Sequence, residues 1–170
     1  LRIADLGTGS GAVALAIASE RPNCDIHAVD LSQEALAVAH QNAAGLRVES
    51  IHFHRGSWFE PLSGSFDLVV SNPPYVAVGD PHLAEGDLRF EPAVALVAGV
   101  DGLEAIRRIA GAAPPRLNPD GWLLLEHGHD QADACRAVLE SAGFEDTETL
   151  RDLQGTNRVT LGRRVRPPAS

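Results

Sequence analysis

Short apolar runs alternate with amphipathic stretches along almost the whole chain, and this rhythm constrains the fold more than any other feature. The apolar runs predict strands at residues 1–6, 25–29, 51–55, 66–71, 121–127, 144–150 and 158–162. The stretches between them predict helices at residues 12–20, 32–44, 103–113 and 131–142. Because such alternation is typical of a parallel sheet covered on both faces, the sequence predicts an α/β fold with a mostly parallel sheet and helices on both faces.

The last two predicted strands differ from the others because only a short turn separates them. Gly155 and Asn157 lie in that turn, and both residue types are favoured in turns. The pair is therefore predicted to form a C-terminal antiparallel hairpin, which adds an antiparallel strand at one edge of the sheet. Residues 1–164 are expected to form one domain, and residues 165–170 a flexible tail.

A glycine-rich segment joins the first predicted strand to the first helix. Residues 5–11 read Asp-Leu-Gly-Thr-Gly-Ser-Gly, and glycine lets the backbone turn tightly and approach a ligand. The spacing is not the G-x-G-x-x-G of dinucleotide sites, and Asp5 would repel a pyrophosphate but attract an amino group. Asp30 ends the second strand about 20 positions later, where a carboxylate can bind ribose hydroxyls. An amino-acid end plus a ribose describes S-adenosylmethionine better than NAD.

A stiff turn follows the fourth predicted strand: residues 72–75 read Asn-Pro-Pro-Tyr. Proline has no amide hydrogen, fixes its own φ and holds the preceding residue extended, so the segment must leave the sheet. Ligands of open α/β sheets bind at the carboxyl ends of the strands. An amide beside an aromatic ring at that place suits a planar substrate that bears an amide. The structural alternative is a Pro-Pro turn that merely ends a strand.

The segment after this turn, from residue 76 to about 101, shows little regular pattern. Loops of this length in compact domains are usually functional or disordered. Because this one follows the Asn-Pro-Pro-Tyr turn directly, we expect it to form a wall or lid over the same pocket, with Glu91 lining the site.

Composition restricts the classes of function. The formal net charge is −9, which argues against strong non-specific binding to nucleic acid. No apolar run is long enough to span a membrane. Cys24 and Cys135 match no metal or redox spacing and are expected to be reduced thiols of a cytoplasmic protein. Two His-x-His pairs lack the further ligands of a metal site, so no metal is expected; they lie at residues 52 and 54 and at residues 127 and 129.

These motifs together resemble the class I S-adenosylmethionine-dependent methyltransferases, which have a Rossmann-like fold, and more narrowly the HemK/PrmC family of protein-glutamine methyltransferases. The resemblance covers nearly the whole chain, and its Arg-Phe-Glu-Pro element, at residues 89–92, is much more specific than the glycine loop. It implies methylation of the side-chain amide of the glutamine in the Gly-Gly-Gln motif of class I peptide chain release factors. Members usually carry an N-terminal helical domain that helps to grip the release factor, and such a domain is expected to precede Leu1.

The resemblance also implies roles for individual residues. Those implied to bind S-adenosylmethionine, and its product S-adenosylhomocysteine, are Asp5, Gly7, Thr8, Gly9, Ser10, Gly11, Asp30, Trp58 and Asn72. Those implied to bind the glutamine are Asn72, Pro73, Pro74 and Tyr75, of which Asn72, Pro73 and Tyr75 are the implied catalytic residues. Glu91 is also predicted to bind the substrate, because its loop is expected to line the site. One departure is Ser57, where many relatives have an acid before the aromatic residue.

Other functions stay open at this stage. A ribosomal-protein glutamine methyltransferase would carry the same motifs, and an adenine-N6 DNA or RNA methyltransferase shares Asn-Pro-Pro-Tyr because an exocyclic amine presents a similar planar NH2. A non-catalytic cofactor-binding module and a NAD-dependent dehydrogenase are further alternatives. The expected protein is a cytoplasmic monomer that contacts a release factor and neither nucleic acid nor membrane.

Overall fold

The computed structural model describes residues 1–75 and 101–165. The strands of this part of the chain are β1 (Arg2–Leu6), β2 (Asp25–Asp30), β3 (Ile51–Arg55), β4 (Phe66–Ser71), β5 (Leu117–Glu126), β6 (Phe144–Arg151) and β7 (Asn157–Arg164). Its α-helices are α1 (Ala12–Glu20), α2 (Gln33–Leu46), α3 (Glu104–Ala112) and α4 (Ala132–Ser141). Every predicted strand and helix is present, and most begin and end within one or two residues of the predicted bounds.

The strands form a single sheet with the order β3-β2-β1-β4-β5-β7-β6. The five strands from β3 to β5 are parallel, and β7 is antiparallel to both β5 and β6. The predicted Rossmann-like arrangement with a C-terminal antiparallel hairpin is therefore confirmed. The carboxyl ends of β1, β2 and β4 lie next to one another at one rim of this sheet.

The order of the two hairpin strands within the sheet was not predicted. The antiparallel strand β7 does not lie at the edge but between β5 and β6. Its Thr160 is fully buried, whereas β6 exposes Glu145, Glu148 and Arg151. Charged, exposed side chains suit an edge strand because they oppose pairing with a further chain, and this explains why β6 takes the edge position.

Strand β5 is also longer than predicted. It begins at Leu117, which pairs with Phe66, and the register then shifts so that Trp122 pairs with Leu68. Between these pairs Asp120 has a φ of 65°, which marks an irregular ladder. The residues Asn118, Pro119 and Asp120 are typical of a turn, so the sequence concealed this first part of the strand.

Two apolar cores hold helices against the two faces of the sheet, as predicted. On one face, Leu15 of α1 packs with Ile3 and Ile26. On the other, Ile106 of α3 and Leu139 of α4 belong to a larger core. Among the helices described, none combines the length and the apolar character needed to cross a bilayer.

Candidate active site

The glycine loop and the Asn-Pro-Pro-Tyr turn begin side by side. Leu6, the last residue of β1, pairs in parallel register with Ser71, the last residue of β4. The Ser71 hydroxyl donates a buried hydrogen bond of 2.6 Å to the Leu6 carbonyl oxygen. Gly7 and Asn72 follow these two residues directly, so the two segments leave the sheet at adjacent points of the rim.

The Asn-Pro-Pro-Tyr turn begins with an exposed residue. Asn72 is exposed, Pro73 is buried, and Pro74 and Tyr75 are partly buried. A buried proline directly after the strand fixes the backbone where the chain leaves the sheet. The turn therefore offers the Asn72 side chain at the rim while its second residue stays packed in the fold.

The glycine loop curls over the end of β2. The amide groups of Gly7 and Thr8 both donate to the Val29 carbonyl oxygen, at 2.8 and 2.9 Å. Gly9 has a φ of +56°, and a Cβ added there would meet no atom of residues 1–75 or 101–165 within 4 Å. The left-handed backbone explains why glycine is favoured there, and the open space beside Gly9 is where a ligand can approach the main chain.

Asp30 holds this loop from the end of β2. One carboxylate oxygen accepts from the Gly9 amide at 2.8 Å. The other accepts from the Ser32 amide at 2.9 Å. Ser32 in turn caps α2, because its hydroxyl accepts from the Ala35 amide at 3.1 Å. Asp30 thus links the glycine loop, which leads into α1, to the start of α2 at the rim of the sheet.

Asp5 lies beneath the loop and is only 2 % exposed. Its carboxylate accepts from the Thr8 hydroxyl at 2.6 Å and from the Ala14 amide, in the first turn of α1, at 3.2 Å. Burial raises the pKa of Asp5 to about 6, although these two hydrogen bonds lower it and the nearby Asp30 raises it further. A buried carboxylate with these partners stabilises the loop from below.

Trp58 stands beside the first glycine of the loop. Its Cζ3 atom lies 3.4 Å from the position that a Cβ on Gly7 would occupy. The indole is partly buried and packs on the larger core, and its backbone has a φ of 48°. Trp58 therefore forms a fixed wall next to Gly7, and its contact with the adenine stays a prediction.

The remaining predicted residues of the loop are placed as follows. Ser10 is exposed, and its carbonyl oxygen accepts from the Asn42 side chain at 2.9 Å. A Cβ on Gly11 would lie 3.1 Å from Cβ of Ala39, so Gly11 permits close packing of α1 on α2. Glu91 lies outside the described residues, as does the expected wall or lid.

The histidine pairs have structural partners. His127 is fully buried and contacts the Thr160 hydroxyl at 2.9 Å and the Gly128 carbonyl oxygen at 2.8 Å. His54 instead contacts His27 at 2.9 Å. Within residues 1–75 and 101–165, no group of three or more His, Cys, Asp or Glu side chains is arranged to hold a metal ion. The two cysteines are free and buried, as predicted.

Sequence reasoning did not single out Gln131 or Gly102, and both contact the Asn-Pro-Pro-Tyr turn. The Gln131 side chain donates to the Tyr75 carbonyl oxygen at 3.1 Å, and a Cβ on Gly102 would lie 2.3 Å from that same oxygen. Neither residue belongs to a motif, and their link to Tyr75 arises only from the folded chain.

Comparison with known proteins agrees with this arrangement. Residues 1–87 match the family described as the methyltransferase small domain. Over 163 residues the chain is 55% identical to a release factor glutamine methyltransferase of Xylella fastidiosa, strain Temecula1, covering 95% of this chain and 59% of that protein. It is 51% identical to the protein of the same description from Salmonella typhimurium, with the same two coverages. The chain thus spans about three fifths of the length of these relatives.

A solved structure supports the fold alone. A methyltransferase from Pyrococcus furiosus superposes with a TM-score of 0.73 at 18% identity, over 96% of this chain and 75% of that one. The relatives confirm the resemblance to protein-glutamine methyltransferases that the motifs indicated. Because the family model matches residues 1–87, and the glycine loop, the turn and the sheet agree with it, the chain belongs to the methyltransferase small domain family.

Proposed function

We propose that this chain is the catalytic domain of an S-adenosylmethionine-dependent protein-glutamine methyltransferase whose acceptor is the glutamine of the Gly-Gly-Gln motif in class I peptide chain release factors. The observation that carries the proposal is the pairing of Leu6 with Ser71. Because of this pairing, the glycine loop, which a ligand can reach, and the exposed residue Asn72 follow the sheet at adjacent points of one rim. The printed names of the relatives support the choice of acceptor.

The residues of the rim fit the proposed cofactor. As far as residues 1–75 and 101–165 are concerned, the space beside Gly9 is open, and a side chain there would intrude into it. The Asp30 carboxylate reaches the same loop, and each carboxylate oxygen can accept more than one hydrogen bond. The Trp58 ring offers a flat apolar surface next to Gly7. We assign Gly7 to Gly11 to the amino-acid part of the cofactor, Asp30 to its ribose and Trp58 to the adenine side.

The acceptor nitrogen is a weak nucleophile because its lone pair is delocalised into the carbonyl group. Bound S-adenosylmethionine supplies a methyl group that its sulfonium activates. The Asn72 side-chain oxygen and the Pro73 carbonyl oxygen accept hydrogen bonds from the acceptor NH2 and so orient its nitrogen, while Tyr75 packs against the planar amide. These residues act by positioning, which lowers a barrier by up to roughly 7–11 kcal/mol.

The proposed acceptor also implies where the reaction takes place and which protein takes part in it. A net charge of −9 does not favour binding to nucleic acid, and two buried, unpaired cysteines suit a reducing cytoplasm, where thiols stay reduced. We place the reaction there, on a release factor as a protein substrate, with a monomeric enzyme. Methyl transfer to a protein does not require contacts with phosphate groups, which are the main source of affinity for nucleic acid.

The test is to incubate the protein with a class I release factor and S-adenosylmethionine that carries an isotopically labelled methyl group, and to locate the label by mass spectrometry. Both this chain and the full-length gene product are assayed. Label on the amide nitrogen of the Gly-Gly-Gln glutamine, and none on a release factor in which that glutamine is replaced by alanine, is the expected result. Label on a ribosomal protein, duplex DNA or RNA in preference to the release factor would assign another acceptor.

A further inference from the structure

The side-chain amide of Gln131 uses its hydrogen-bonding groups to join three separate loops. Its nitrogen donates to the Tyr75 carbonyl oxygen at 3.1 Å and to the Asp101 carbonyl oxygen at 3.2 Å. Its oxygen accepts from the Gly128 amide at 2.8 Å. A carboxamide has two N–H donors beside an acceptor oxygen, so both donors are engaged and the orientation of the amide is fixed.

Gln131 is itself held firmly by the core. It immediately precedes α4, and its carbonyl oxygen accepts from the Cys135 amide at 2.8 Å. Cys135 is fully buried. The Gln131 amide also donates to the Gly128 carbonyl oxygen at 3.0 Å. Gln131 thus links α4, which packs in the core, to the end of the Asn-Pro-Pro-Tyr turn.

Gly102 closes the other side of the same contact. A Cβ on this residue would lie 2.3 Å from the Tyr75 carbonyl oxygen and 2.6 Å from the Gln131 side-chain nitrogen. Its φ is +73°, a conformation that favours glycine. The absence of a side chain at position 102 is what allows Gln131 and Tyr75 to meet.

We propose that Gln131 is a positioning residue for methyl transfer: by fixing the Tyr75 carbonyl it sets the orientation of the Asn-Pro-Pro-Tyr turn, so that Asn72 and Tyr75 receive the acceptor amide in a productive pose. This inference rests on the proposed function. Gln131 contacts the backbone of the turn and acts through it. A displacement of about 1 Å in such a positioning element can cost about a hundredfold in rate.

The chain offers a direct probe of this contact because Tyr75 is its single tyrosine. Labelling with tyrosine that carries ¹³C at the carbonyl carbon gives one NMR signal, from the very group that accepts the hydrogen bond. Gln131→Met removes both donors without adding charge, and Gln131→Glu keeps the acceptor but turns oxygen toward two carbonyl groups. Gln154→Glu, at an exposed position in the turn before β7, is the matched control.

We expect the Tyr75 carbonyl signal to move to lower chemical shift in Gln131→Met, to change also in Gln131→Glu, and to stay at its wild-type position in Gln154→Glu. Thermal unfolding shows which variants are folded. If one Gln131 variant does not fold, the other carries the test, and Gly102→Ala provides a third perturbation of the same oxygen. An unchanged signal in a folded Gln131 variant would overturn the proposal.

The second readout is catalysis by the full-length gene product. We expect kcat on the release factor to fall on the order of tenfold to a hundredfold in both Gln131 variants, with the dissociation constant for S-adenosylhomocysteine unchanged within about twofold of wild type. A purely structural role would lower the unfolding temperature without this separation of kcat from cofactor affinity. Wild-type kcat in a folded Gln131 variant refutes the positioning role, whereas a wild-type enzyme that methylates no glutamine refutes the proposed function and the catalytic role together.

Discussion

The Ser71 hydroxyl lies 2.6 Å from the Leu6 carbonyl oxygen, in a contact from which solvent is excluded. It joins the last residues of two neighbouring parallel strands. Main-chain hydrogen bonds already hold the strands together, but this side-chain bond is made where the ladder ends and the functional loops begin. It couples the starting position of the glycine loop to that of the Asn-Pro-Pro-Tyr turn.

Replacing Ser71 by alanine should therefore affect both stability and turnover. We expect the free energy of unfolding to fall by about 1–3 kcal/mol, because a buried hydrogen bond is lost, and methyl transfer to fall as well. The matched control is Ser65→Ala. Ser65 precedes β4 at its other end and donates a 2.6 Å bond to Asn118, so its loss should lower stability while turnover is retained. Equal losses of turnover in both variants would contradict the coupling at the rim.

Asn72→Ala tests the residue on which the proposed chemistry depends most. Because Asn72 is exposed, we expect the free energy of unfolding to change by no more than about 0.5 kcal/mol. Turnover of a glutamine substrate should fall by about 10²-fold or more, the scale of losing one preorganised polar contact. Asn23→Ala, an exposed asparagine remote from the rim, is the control. Near-normal single-turnover rates for Asn72→Ala would remove Asn72 from the mechanism.

Gly9→Ala separates backbone strain from obstruction of the ligand. None of the residues that the structure describes comes within 4 Å of a Cβ at this position, so among them the only cost is that of a left-handed alanine, roughly 1–2 kcal/mol. Since the open space is assigned to the cofactor, we expect the affinity for S-adenosylhomocysteine, measured by calorimetry, to fall at least tenfold. Gly45 lies in α2, does not have a positive φ, and a Cβ there would likewise meet no atom of the described part of the chain; Gly45→Ala should leave that affinity unchanged. Equal affinities in the two variants would count against the cofactor position.

The sequence predicted those parts of the fold and site that depend on neighbours along the chain. The glycines after β1 and the prolines after β4 were recognised as turns, because each acts within a few residues of itself. Gln131 escaped notice because its partners Tyr75 and Asp101 are 56 and 30 residues away. A single glutamine before a helix carries no local signal of such contacts.

The same distinction explains which features of the sheet the sequence did not predict. The hairpin was predicted from its turn, a local feature, but the insertion of β7 beside β5 depends on which hairpin strand buries the better surface. Likewise, the start of β5 at Leu117 is specified by pairing with Phe66, while the local residues favour a turn. Long-range pairing decided both outcomes, as expected when propensity is only a weak constraint.

Asp5 should make the protein less stable as the pH rises through the acid range. Burial raises its folded-state pKa to about 6, above the usual value of an unfolded aspartate, so the folded state holds the proton more tightly. The favourable contribution is fully present below the unfolded pKa and is lost as pH rises to about 6, amounting to about 3 kcal/mol. The Asp5→Asn variant has no carboxyl group at this position, so its stability does not fall in this way as the pH rises. Urea unfolding at several pH values should therefore show the variant gaining on the wild type between pH 4 and 6; parallel curves would contradict the assignment.

The imidazoles of His27 on β2 and His54 on β3 should make the protein less stable as the pH falls, which is the opposite of the effect of Asp5. His27 and His54 lie 2.9 Å apart, and burial lowers the pKa of each below its usual value. For His54 the positive charges of His27, His52 and Arg2 lower the pKa further, whereas for His27 the carboxylate of Asp25 partly restores it. A depressed folded-state pKa means that the stabilising contribution is complete above the unfolded histidine pKa and is lost as the pH falls through the folded value.

Replacing His54 by glutamine removes one of these titrations and keeps a polar side chain on β3. We expect the difference in free energy of unfolding between wild type and His54→Gln to move in favour of the variant as the pH is lowered from 7.5 to 5.5, because the wild type must then protonate crowded imidazoles. Urea denaturation at three pH values measures that difference, with the slope of each transition confirming that the unfolded states are comparable. A difference that stays constant over this range, or moves in favour of the wild type, would show that the close contact of the two rings does not control their protonation.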